Sequence, residues 1–115
     1  MIAPELVRRL VLDMIAELPE AIRSELMSVR VVVLEAPTAL LLSEGVEPAE
    51  EGAYIVRGED PMPMGDGFTD DPQDRAIYLF ARNLTRERVR SVLLHEVAHA
   101  CGLNEEEVSD LEAAS

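Results

Sequence analysis

The sequence predicts an α+β domain with one small mixed sheet packed against helices. Three observations carry this. Runs rich in β-branched and aromatic residues at 29–34, 53–57 and 75–80 read as strands. Segments 4–17 and 85–101 place apolar residues at helical spacing. The connections between the strand runs are too short for a repeated β-α-β pattern. At 115 residues the chain is read as one domain, 1–115, with a modest core.

The elements follow in order. Residues 4–17 form a first helix with Leu6, Leu10, Met14 and Ile15 turned inward, and Pro19 ends it. Residues 20–27 continue as a short second helix. The run Val29-Arg30-Val31-Val32-Val33-Leu34 is the first strand. Residues 38–43 fit neither period clearly, and Gly45 closes them. Ala53-Tyr54-Ile55-Val56-Arg57 is the second strand and Arg75-Ala76-Ile77-Tyr78-Leu79-Phe80 the third. Between them, 58–74 is a loop by its Gly, Pro and Asp content. Its length exceeds the usual connection. A solvated surface loop is the default, and a flap with Met62, Met64 and Phe68 as apolar contacts is the alternative. Its aspartates lack EF-hand spacing. There are no internal repeats.

Composition excludes several classes. Hydrophobic residues make up 48% and charged residues 29%, which suits a folded globular chain rather than a disordered one. Aromatics are only 3%, so the core must be aliphatic. A single cysteine excludes an intrachain disulfide. Residues 1–17 interrupt their apolar pattern with Glu5, Arg8, Arg9 and Asp13, so no secretion signal is expected. No segment approaches a membrane-spanning length. A cytoplasmic location is the expectation. The net charge of −13 opposes nucleic-acid and anionic-membrane partners, because both require clustered positive charge. All ten basic residues are arginine, read here as a genomic composition bias. Arg82, Arg86, Arg88 and Arg90 form a local basic patch, best read as ion-pair partners for an acidic surface. Arg86 or Arg88 at a substrate carboxylate is the alternative.

Segment 85–101 carries the chemistry. Thr85 is placed as an N-cap, and Val89, Val92, Leu93, Val97 and Ala100 make an apolar stripe. Gly102 follows, where a left-handed C-cap fits. Both histidines of the chain lie on this helix in His95-Glu96-Val97-Ala98-His99. Four residues is just over one helical turn, so the two imidazoles share a face. This His-Glu-x-x-His (HExxH) pattern supplies two zinc ligands and a general base, Glu96. Ser91 lies on the same strip, with Arg88 above it. A chance histidine pair is a poor alternative, because burying such a polar strip without a partner is costly.

Catalytic zinc takes three protein ligands and keeps one position for water. Cys101 lies about 240° around the helix from His95 at ~100° per residue, so it points away and reads as a small buried apolar residue. Glu105, three residues past Gly102, is the favoured third ligand. Glu106 and Asp110 stand behind it. The competing reading is local: Asn104 as N-cap with Glu107 as its capping-box partner leaves Glu105 merely favouring a helix start.

The run His95-Glu96-Val97-Ala98-His99-Ala100-Cys101-Gly102-Leu103-Asn104-Glu105 resembles the extended zinc signature of metzincin-type peptidases, with an acidic residue where most carry a third histidine. In the order of its elements the chain resembles a small bacterial family of zinc peptidases with a minimal zincin fold, in which the third ligand is usually aspartate. The resemblance implies His95, His99 and Glu105 as zinc ligands, Glu96 as base and a peptide or protein as substrate. It implies a small sheet against the motif helix and the N-terminal helices. The sequence stops at Ser115, so the downstream subdomain and methionine turn of full metzincins are not expected. By analogy with zincins, an edge strand beside the motif helix aligns the substrate, and the third strand, around Ile77 to Phe80, is taken as that edge. Tyr78, Tyr54 or an arginine is available to the oxyanion, without a choice among them.

Three functions are weighed. A small metallopeptidase is favoured. A zinc protein with little catalysis, whose metal holds the C-terminal turn, is second. A metal-dependent ribonuclease is third: one RNA-processing family also has a histidine helix followed by glycine and acidic residues. That family carries a third histidine, and the −13 charge opposes the reading.

Overall fold

The computed structural model describes residues 2–57 and 74–114. The expectations for 58–73, with Met62, Met64 and Phe68, lie outside the described residues. The element order is α1 (Pro4–Ala16), α2 (Glu20–Leu26), β1 (Arg30–Leu34), α3 (Ala39–Ser43), β2 (Gly52–Arg57), β3 (Asp74–Phe80), α4 (Arg86–Cys101) and α5 (Glu105–Ala114). A single 3-10 turn, Ala81–Asn83, joins β3 to the approach to α4. The α+β class with a small mixed sheet is what the structure has. Among the described residues no helix is long and apolar enough to cross a membrane.

The local starts and stops follow residue chemistry. Pro4 opens α1 at a position where its missing N–H is harmless. Pro19 sits at the N-cap of α2, so the break between the first two helices falls where expected. The buried centre of α1 is Val7 and Val11; Leu6, Leu10, Met14 and Ile15 flank it, half-buried against the core. The ambiguous segment 38–43 is a short helix, capped by the Thr38 hydroxyl accepting from the Leu41 N–H at 3.2 Å. Gly45 then turns the chain at φ +104°.

The strand order is β1-β3-β2. β1 runs parallel to β3, with Val32 opposite Tyr78, and β2 runs antiparallel to it, with Tyr54 opposite Ile77. The edge expected at Ile77 to Phe80 is therefore in the wrong place: β3 is the central strand, and the edge beside the motif helix is β2. The physical reason is burial on both faces. Ile77 and Leu79 face the helices, while Ala76, Tyr78 and Phe80 face a second cluster with Leu41 and Val46. A strand covered on both sides reads as a continuous apolar run, which 76–81 is.

The main core lies between the sheet and α1, α2, α4 and α5. Its fully buried members include Val7, Ile77, Leu79, Leu84, Val89, Leu93 and Val97. α4 packs against α1, α2, α5, β2 and β3. β2 reaches α4 at Gly52, where an added Cβ would lie 2.8 Å from Val92 Cγ1 and 3.1 Å from the Tyr78 carbonyl oxygen. Only glycine permits that approach. The Gly52→Ala variant is expected to lose about 1–3 kcal/mol through overpacking, measured by urea unfolding. A neutral result would show that β2 and α4 tolerate wider spacing.

Candidate metal and catalytic site

α4 presents the site by burying its apolar face. Val89, Val92, Leu93, Leu94, Val97 and Ala100 are buried, and they fix the rotation of the helix. His95 and His99 stay exposed. Thr85 occupies the N-cap position with extended backbone, but its side chain makes no capping bond. The C-terminus stops as the sequence indicates. Gly102 is left-handed at φ +64° and ψ +34°. The Leu103 N–H donates to the Ala98 carbonyl at 3.0 Å and the Gly102 N–H to the His99 carbonyl at 3.3 Å, a Schellman closure.

The two imidazoles meet. Their Nε2 atoms are 3.1 Å apart and their rings stand nearly perpendicular, at 84°. At this distance, according to tautomer, one ring nitrogen can donate to the other. Two nitrogens each ~2.0–2.1 Å from a tetrahedral zinc lie about 3.3 Å apart, so the observed spacing suits a metal.

Glu96, the next residue along the helix from His95, is only 7% exposed. Burial pushes its carboxyl above the usual carboxylate range; His95 pulls it down and Glu50 pushes it up. Its carboxylate lines open space. One cavity, of about 370 Å³, takes in His95, Glu96, Ser91, Arg88 and Glu50. A second, of about 330 Å³, takes in Glu96, His99, Glu50 and Tyr54 along β2. A third, of about 670 Å³, takes in His95, His99, Gly102 and Glu105. The three motif residues thus stand where three cavities adjoin.

The third-ligand residues are placed less closely. Glu105 is exposed at the first position of α5 and shares the third cavity with both histidines. Among the described residues, no three His, Cys, Asp or Glu side chains cluster tightly enough to hold a metal. The start of α5 is set by a reciprocal capping box. The Glu107 N–H donates to Asn104 Oδ1 at 2.8 Å, and the Asn104 N–H donates to Glu107 Oε1 at 3.1 Å. The capping reading of this turn is therefore real, and it leaves the Glu105 side chain unengaged by the box. Glu106 and Asp110 are also exposed on α5.

Cys101 packs half-buried against the core, and burial raises its thiol pKa, with Glu25 adding to the rise. Arg88 pairs with Glu51 through two bonds of 3.0 and 2.7 Å at the cleft rim, and Arg82 with Glu35 at 2.8 Å. Both are the ion pairs that the basic patch suggested. Burial and the two Arg88 bonds act in opposite directions on Glu51, and the bonds win, so its pKa falls. Tyr78 lies on the sheet face away from α4, stacked on Phe80, which removes it as an oxyanion donor. Tyr54 lies on the α4 face.

Sequence reasoning missed Arg75. Its guanidinium donates to the Tyr54 hydroxyl at 2.9 Å, the Ala100 carbonyl at 2.6 Å and the Ser28 hydroxyl at 3.2 Å, with Glu25 at 3.6 Å. The Tyr54 bond first, and then Glu25, raise its pKa above the ordinary arginine value. The available signal was its position: a charge beside the apolar run of a strand must find acceptors.

Two imidazoles and a buried carboxylate in this order on one helix match the pattern that zinc-dependent peptidases use. The family model for zincin-like metallopeptidases matches residues 26–114, and the chain belongs to that family. The family implies a metal, typically zinc. A search of curated proteins finds no significant match.

Because Gly102 holds a left-handed backbone, Gly102→Ala is expected to cost about 1–2 kcal/mol in a urea melt. An unchanged midpoint would mean that the Schellman turn does not constrain the end of α4.

Proposed function

We propose that the protein is a zinc-dependent hydrolase, a small metallopeptidase that cleaves peptide bonds with Glu96 as general base. The observation that carries this is the paired Nε2 atoms, 3.1 Å apart, beside a buried carboxylate that lines the same cleft. His95 and His99 are the metal ligands, and Glu105, exposed in the cavity it shares with them, would have to close on the metal as the third. Zinc held by these residues would supply a bound water with a pKa lowered to about 7 and a Lewis acid for the substrate carbonyl. Glu96 accepts the proton of the attacking water and returns it to the leaving nitrogen. Its desolvated environment suits that work, because a carboxylate with a raised pKa is a stronger base.

The substrate is an extended peptide or protein segment laid along β2, the edge strand whose Gly52 and Tyr54 border the cleft. Nucleic acid is disfavoured, since Glu50, Glu51 and Glu96 line the same space. A purely structural zinc is the weaker reading. The Schellman closure and the Asn104–Glu107 box already hold the turn that such a metal would have to secure.

The test separates base from ligands. Glu96→Gln should keep zinc and lose turnover of a peptide library by roughly 10²–10⁴-fold. Full turnover in that variant would remove Glu96 from the mechanism. Loss of its zinc would make it a ligand instead.

A further inference from the structure

α4 is held to the edge strand at two places, and the motif lies between them. The first is the Gly52–Val92 contact. The second is at the far end, where Arg75 bonds both Ala100 and Tyr54. Ala100 adjoins His99, and Tyr54 lines the cavity that holds Glu96 and His99.

The chemistry of the second contact is specific. The last carbonyls of a helix lack partners within it. The carbonyls of Ala98 and His99 are met by the turn at Gly102, and that of Ala100 is met by Arg75. A guanidinium presents several donors in one rigid plane, so a single side chain can fix two elements relative to one another. Its positive charge also complements the negative end of the helix. Ser28 and Glu25 hold the same guanidinium from the α2 side, so the strut is itself anchored.

We propose that Arg75 is a positioning residue, whose guanidinium sets the separation between the His99 end of α4 and the Tyr54 wall of the cleft. The proposal rests on reading His95, Glu96 and His99 as the ligands and base. Arg75 touches neither substrate nor metal; it acts through Ala100 and Tyr54. Lysine cannot replace it, because one ammonium cannot serve both acceptors with the same geometry.

The test uses the full chain with Arg75→Gln, Arg75→Lys and Tyr54→Phe. The protein has only two histidines, so their ring signals are readily followed by NMR without metal. Zinc affinity is measured beside them by competition with a chelating dye, and stability by urea unfolding. Both Arg75 variants should shift the His99 ring signals more than those of His95. They should weaken zinc binding by about tenfold or more, as loss of an outer support does. Tyr54→Phe should shift the same signals in the same direction, and adding it to Arg75→Gln should change them little further. If Arg75→Gln does not fold, Arg75→Lys and Tyr54→Phe carry the comparison. Lower stability with unchanged His99 signals and zinc affinity would overturn the proposal and leave Arg75 as packing alone. A wild-type protein that binds no zinc would defeat the metallopeptidase reading instead, and the His99 signals would still decide the positioning.

Discussion

The site depends on how α4 is seated. One helix must bury an apolar stripe against the sheet, turn Glu96 into a cleft, and leave two imidazoles on its open side. Rotation of the helix is fixed by Val89, Leu93 and Val97, all fully buried. A rotation of one residue, ~100°, would bury a histidine or expose the stripe. Translation is fixed by β2, which approaches so closely at Gly52 that Val92 and the Tyr78 carbonyl leave no room for a methyl group. The chemistry is thus a by-product of packing: core residues set the direction in which each polar group points.

The same seating sets the electrostatics. His95 and His99 are exposed, so they remain available to a metal. Glu96, one residue from His95, is shielded, and desolvation makes its carboxylate more basic. Adjacent positions on one turn therefore receive opposite environments. Around them the charge is largely negative, and the guanidinium of Arg88 at the rim is occupied by Glu51.

Much of this was legible in the sequence, because the strongest signals are local. The helix at 85–101 showed its period, its glycine stop and its histidine spacing in one stretch, and all three stand in the structure. The Asn104–Glu107 box was legible for the same reason. What failed to read was long-range. Strand order depends on which faces are covered, and the edge expected at β3 lies at β2 because the unbroken apolar run of β3 is buried on both faces. Arg75 depends on three partners 21, 47 and 25 residues away in the chain, and no local pattern points to them. The face to which Tyr54 and Tyr78 belong follows from strand pairing alone.

The central claim is that His95 and His99 hold one metal with an acidic residue from the start of α5. The most direct measurement is zinc stoichiometry and affinity of the purified protein beside His99→Ala and Glu105→Ala. The account predicts one zinc per chain, lost with His99 and strongly weakened without Glu105. Zinc binding that ignores both substitutions, or no binding by the unaltered protein, would contradict it.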